Sequence, residues 1–150
     1  MKITVTKVRD SLTPSVRRRL NRLRDPKPAL AAMGEVVVSV TMRAFTDASL
    51  RSSTWARLAP STIKRRRQDG RGTMPLLRTG LLSRSARVSS LTKSSVVVGS
   101  DRPYAPHQQF GTRRGVPARP FFPFDKSGRP TPRVRLLMMF AADRALGLRS

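Results

Sequence analysis

Apolar residues recur along this chain with distinct spacings, and each spacing predicts an element. Leu30, Met33, Val37, Val40 and Ala44 follow one another at intervals of three and four and lead to Phe45. That is the stripe of one helix face. The run Val36-Val37-Val38-Ser39-Val40 would also suit a strand. Length selects the helix, because no proline interrupts residues 29–59 and the stripe persists for about four turns. Asp25-Pro26 marks its start, and it is expected to be the main core element. Alternation of period two appears elsewhere. Ile3 and Val5 alternate with threonines, a short strand pattern. Ala86, Val88 and Ser90 alternate with Arg87 and Ser89, and Ser94 to Gly99 follows Thr92-Lys93. The two runs predict a β-hairpin whose valines are buried or meet another subunit.

Helical spacing returns twice more. Leu12, Val16, Leu20 and Leu23 follow Thr13-Pro14, a cap and first helical position, with five arginines around them. Val134, Leu137, Met138, Ala141, Ala145 and Leu148 mark a last helix, widened by Leu136, Met139 and Phe140. A helix this apolar needs burial, on its own domain or on a neighbour. Between these lie less regular stretches. Trp55 and Leu58 are expected to pack under the segment after Pro60, where Ser61 or Thr62 can cap a short basic helix. Leu76 to Arg84 reads as a short helix or turn, and Ser127 to Pro132 as a linker. Together the elements predict a small α+β fold. Helices pack on a short antiparallel sheet, with an extended arm and a C-terminal helix. One domain spans 1–150, its core about 26–124 and its last helix about 132–148.

Charge changes this picture most. There are 31 basic and 8 acidic residues, net +23, and such self-repulsion opposes compactness unless a partner neutralises it. Nucleic acid or an acidic protein surface is implied. Lys64, Arg65, Arg66, Arg67 and Arg71 form the densest basic patch, a candidate phosphate contact or a solvated turn. The chain has no cysteine, which excludes disulfides and thiolate metal sites. No apolar run reaches the ~20 residues that cross a bilayer. Met1 to Lys7 lacks the apolar core of a signal peptide, so the chain is expected to stay in the cytoplasm where it is made.

The stretch Tyr104 to Phe124 concentrates the information. It holds five of the eight aromatic residues, the lone His107 and four of the twelve prolines. Pro117 and Pro120 push Val116 and Arg119 to extended conformations, and Gly111 and Gly115 suit turns. A helical turn at Ala105 to Phe110, a glycine-bounded loop and an extended Arg119-Pro120-Phe121-Phe122 segment are expected. The last of these can add one more strand. Arginines around apolar rings have the composition of a contact surface.

Tyr104-Ala-Pro-His-Gln-Gln-Phe-Gly111, followed by Val116-Pro-Ala-Arg-Pro-Phe121, resembles the signature of the virion morphogenesis (tail completion) proteins of tailed phages. Trp55-Ala-Arg-Leu-Ala-Pro-Ser-Thr62 and Leu76-Leu-Arg-Thr-Gly-Leu-Leu-Ser-Arg-Ser85 are similar to two earlier segments of that family, in the family's order. The matched positions are Trp55, Leu58, Gly80, Leu81, Tyr104, His107, Phe110, Gly111, Pro117, Ala118, Arg119, Pro120 and Phe121, within roughly residues 28–122. The resemblance implies a small α+β virion subunit that forms a ring, often a hexamer, where head connector and tail meet. Its partners would be copies of itself, neighbouring head-connector and tail proteins, and packaged DNA as a further contact; no membrane would be involved. Physical reasoning adds roles. Trp55, Leu81 and Tyr104 are expected to hold the fold, and Arg113, Arg114, Arg119, Phe121 and Phe122 to make subunit contacts.

Catalytic chemistry finds little footing. No two of the eight acids lie closer than ten residues in sequence, so no local carboxylate pair exists. No nucleotide-binding glycine loop is present. His107 has no nucleophile or metal-ligand set beside it, and a hydrogen bond from Tyr104–Phe110 to the following loop is its expected role. No catalytic residue, metal or cofactor is expected. A non-enzymatic nucleic-acid-binding protein working through its arginine-rich patches is the alternative reading.

Overall fold

The computed structural model describes residues 24–125 and 127–148, together with Arg17 and Asn21. The strand expected at Ile3–Val5 and most of the helix expected from Thr13 to Leu23 lie outside the described residues; Arg17, Asn21 and Arg24 are helical and exposed.

Helix α1 (Lys27–Arg43) starts where Asp25-Pro26 predicts, with the Lys27 amide donating to the Asp25 carboxylate at 3.1 Å. Ala29, Val37, Val40 and Thr41 are buried along it, and Ala44 and Phe45 continue the buried stripe past its end. Arg51 finishes the helix from outside. Its Nε donates to the Ala44 carbonyl at 2.7 Å and its Nη2 to that of Phe45 at 3.2 Å. These are carbonyls a helix end leaves without intrahelical partners. A single 3-10 turn, Ala48–Leu50, intervenes, capped by Asp47, which accepts from both Ser49 N and Ser49 Oγ.

Strands β1 (Ala86–Leu91) and β2 (Val96–Ser100) pair antiparallel, from Ala86 opposite Ser100 to Leu91 opposite Val96, with an irregularity between Val88 and Ser90. Thr92 shapes the turn: its Oγ1 accepts from the amides of Ser94 and Ser95. The hairpin lies on α1 at Gly34. A Cβ there would sit 2.7 Å from Val96 Cγ2 and 3.0 Å from Val88 Cγ2, so glycine is what lets helix and strands approach this closely. Val97 points away and is exposed.

Helix α4 (Pro132–Ala145) packs along the other side of α1. Val134 is fully buried with Val40, Ala44 and Leu50, flanked by Val36 and Met138. The last helix is thus covered by its own chain on one side, while Leu136, Leu137, Met139 and Phe140 remain exposed. Between residues 51 and 125 the chain adds α2 (Pro60–Gln68) and α3 (Ala105–Phe110). Four α-helices within residues 25–148 and a two-stranded antiparallel sheet make the α+β fold that the patterning predicts.

Two local expectations are corrected. Helix α2 begins at Pro60 with no side-chain cap, so neither Ser61 nor Thr62 caps it; proline's fixed φ and missing N–H already suit a first helical position. Among the described residues the Arg119–Phe122 segment joins no sheet. Its amides are taken by other groups, described next.

Candidate partner-binding site

Three segments distant in sequence meet in one place. The first carries Trp55, the second Leu76 to Ser85, the third Tyr104 to Phe121. Phe45, Trp55, Leu82, Ala105 and Phe121 form one buried cluster, with Leu76, Leu77 and Phe122 packed against it. The rings of Phe45 and Trp55 meet edge to face at 5.5 Å, and Phe45 lies 5.7 Å from Phe121. Arg51, held by the α1 carbonyls, stacks 3.9 Å over the Trp55 ring.

Polar bonds lock these segments together. The Trp55 indole donates to the Pro120 carbonyl at 2.7 Å. Arg119 Nε donates to the Ala56 carbonyl at 2.8 Å and Nη2 to that of Arg57 at 3.0 Å. The Arg119 amide donates to the Gln108 carbonyl, and the amides of Phe121 and Phe122 share Gln109 Oε1 at 3.0 and 3.1 Å. The Arg-Pro-Phe-Phe segment is therefore stitched to α3 on one side and to the Trp55 loop on the other. No strand partner is needed to satisfy it.

A tight return makes this geometry possible. Gly111 ends α3 with φ 75° and ψ −176°, a conformation reserved for glycine. Thr112 then closes a loop on Val116 through its amide and its Oγ1. Arg113 and Arg114 stand exposed at the tip.

The sequence-predicted positions fall into separate groups. Arg119 is only 7% exposed and Phe121 1%, so both belong to the interior and not to the outer surface expected of subunit contacts; the little of Arg119 that shows lines a cleft beside α3. The physical reason is that Ala56 and Arg57 present carbonyls that only a guanidinium reaching across the chain satisfies. Arg113 and Arg114 are free to meet a partner, and Phe122 is half-buried. Leu81 was expected to hold the fold, yet it is 44% exposed, and its neighbour Leu82, at 3%, fills the core. Tyr104 too is exposed, at 41%. His107 is exposed, and among the described residues its ring makes no hydrogen bond to the loop; its backbone carbonyl makes the link, accepting from Gly111. Gly80 adopts a positive φ, Leu58 and Pro120 are half-buried, and Pro117 and Ala118 are exposed. Phe110 is 79% exposed, a large ring left in solvent beside the core it adjoins.

In the basic patch, Lys64, Arg65, Arg67 and Arg71 face solvent. Arg66 turns inward, its Nη1 donating to the carbonyls of Gly72 and Met74. Arg51 and Gln109 carry much of this architecture and escape sequence reasoning. Each is one arginine or one amide among many, with no spacing to single it out.

Helix α3 separates two cavities. On the Gln108 side is a basic cleft of about 420 Å³, lined by Arg66, Arg78 and Arg119 with Leu58, Leu82 and Tyr104. On the Gln109 side is an aromatic recess of about 500 Å³, lined by Phe110, Phe121, Phe122, Phe124 and Val98 of the hairpin. No group of three or more potential metal-ligating side chains occurs among the described residues.

The phage virion morphogenesis family matches the chain over residues 3–136, well beyond the three motifs. The chain belongs to the phage virion morphogenesis family. No curated protein and no solved structure matches it. The three virion morphogenesis motifs thus converge on one clustered core, and the Trp-Ala-Arg-Leu and Ala-Arg-Pro-Phe segments are direct hydrogen-bond partners. The match to this family reaches into α4 and supports a role in building phage particles. Among the described residues no helix is long and apolar enough to cross a membrane.

The Arg119 clamp makes a direct prediction. Arg119→Lys is expected to lose about 1–3 kcal/mol, because one ammonium cannot reproduce a fork that serves two carbonyls. Urea unfolding checks it. A variant as stable as the parent would show that the clamp contributes nothing.

Proposed function

We propose that this chain is a structural, non-catalytic virion subunit that completes the tail or joins head to tail, as a homo-oligomeric ring, with six copies the expected number. Membership in the phage virion morphogenesis family carries the reading. Surface chemistry supports it. The outer face of α4 exposes Leu136, Met139 and Phe140, and Phe110 stands at the aromatic recess. Two unlike apolar surfaces on one chain suit a heterologous contact, the kind that closes rings. Arg113 and Arg114 at the loop tip are the polar contacts placed to reach a neighbour. The net charge of +23 would face packaged DNA or acidic neighbouring head-connector and tail proteins.

Electron microscopy of lysates from a phage lacking this gene tests the role. Filled heads lying apart from tails, or tails that end abnormally, are the expected result. Intact infectious particles would overturn it.

One observation favours a second reading, DNA binding. Helix α2 has no buried residue and presents Lys64, Arg65 and Arg67 outward. On that reading, changing these three to alanine lowers duplex affinity and flattens its dependence on salt.

A further inference from the structure

We propose that the basic cleft on the Gln108 side of α3 is a receptor for an acidic peptide segment, one that inserts a carboxylate beside an apolar side chain. Three guanidiniums, from Arg66, Arg78 and Arg119, line one recess, and no carboxylate lines it. None of the three belongs to an ion pair among the described residues. Their own chain satisfies them only in part. Arg119 uses Nε and Nη2 on backbone carbonyls, two of its five N–H donors. Arg66 directs Nη1 to two carbonyls. Arg78 makes no hydrogen bond among the described residues and is exposed at the mouth.

Holding these cations together is unfavourable. Burial pulls the Arg66 guanidinium below the ordinary arginine range, and the nearby charges of Arg78, Arg65 and Arg71 pull it further. Burial does the same to Arg119, reinforced by Arg66. An arriving anion offsets the like-charge repulsion, and arginine forks suit a carboxylate bidentately. The rim also carries backbone strain. Leu76 lines the cleft at φ 64°, the one non-glycine residue with positive φ among those described.

Shape and floor select the source of the anion. Leu58, Leu76, Leu82 and the Tyr104 ring give the cleft an apolar lining beneath its charges. A peptide side chain or chain end projects into such a recess and buries apolar surface there. Duplex DNA presents rows of phosphates along a rod, which match an outward stripe of cations rather than a recess floored with leucine. The outward face of α2 is that kind of surface; the cleft is not. Nothing in this assignment depends on where the chain sits in the virion.

Fluorescence anisotropy on the purified full chain tests it. The probe is a labelled peptide alternating Leu and Glu, compared with the same peptide carrying Gln and with a labelled DNA duplex, all at one near-physiological salt concentration. The Leu-Glu peptide is expected to bind, and the Leu-Gln peptide to bind about tenfold more weakly or worse. Arg78→Glu is expected to cost about tenfold or more in affinity for the Leu-Glu peptide. Lys93→Glu, on the exposed hairpin turn, makes the same change of charge outside the cleft and is expected to leave affinity within about twofold. Arg78 makes no hydrogen bond among the described residues, so circular dichroism of Arg78→Glu should match the parent. Three results would overturn the proposal. These are equal losses in the two variants, equal binding of the Glu and Gln peptides, and a duplex that binds more tightly with the same sensitivity to Arg78→Glu. Because the experiment uses the isolated chain, its failure leaves the ring reading standing.

Discussion

Trp55→Ala is expected to lower stability by about 3–5 kcal/mol, the range for deleting a large buried aromatic side chain. The ring is buried between Phe45 on its edge and Arg51 on its face, and its indole N–H satisfies the Pro120 carbonyl. Alanine opens a cavity, frees Arg51 from its stacking partner and leaves the Pro120 carbonyl without its donor. A domain with a total stability of roughly 5–15 kcal/mol cannot absorb much more than that. Trp55→Phe isolates the hydrogen bond. It keeps most of the packing and is expected to lose about 1–3 kcal/mol. Urea unfolding followed by far-ultraviolet circular dichroism reads both, since Trp55 is the lone tryptophan and fluorescence vanishes with it. An alanine variant within about 1 kcal/mol of the parent would mean that the three segments hold together without this ring.

Gly111→Ala is the second large effect. The residue sits at φ 75° and ψ −176°, where a side chain is strained by roughly 1–3 kcal/mol. Space is lacking too. A Cβ would lie 2.8 Å from the Val116 carbonyl oxygen and 2.9 Å from the Ala118 amide nitrogen. Both obstacles are backbone, and both belong to the return that positions Arg119. Strain and overpacking together predict a loss of about 2–5 kcal/mol. Gly115→Ala is the control. Gly115 also has a positive φ, 92°, but nothing lies within 4 Å of its would-be Cβ. It should lose only about 1 kcal/mol, from backbone strain alone. Thermal unfolding of the pair separates the two contributions, and equal losses would show that the close approach at Gly111 is relaxed without penalty.

Local periodicity made α1, the hairpin and α4 legible, because each is written in spacings of three and four or of two. The signature stretch was legible as an element order: helical turn, glycine loop, extended arm. The direction in which that arm faces was not. Arginines interleaved with phenylalanines have the composition of an interface, and here Arg119 and Phe121 point inward. What decides this is a pair of unpartnered carbonyls at Ala56 and Arg57, more than sixty residues away in sequence. No periodic signal spans such a gap. The exchange of Leu81 for Leu82 has a similar cause. Neighbouring leucines after a glycine turn differ only in which one the backbone rotates toward Phe45 and Phe121, and pattern alone does not choose. Arg51 and Gln109 act through backbone atoms, which any residue type could supply, so nothing in the sequence marks their partners.

The bonds that join Trp55 to Pro120 and Arg119 to Ala56 also govern when the chain can fold. Contacts closed over 65 and 63 residues cannot form until synthesis has passed Phe121. Before that moment α1 and the hairpin can each form from their own local contacts, while Phe45 and Trp55 wait without the cover of Phe121. The interval is when the nascent chain is most open to aggregation, and its surplus of positive charge then has a use that precedes any partner. It keeps unfinished copies apart until the last segment arrives.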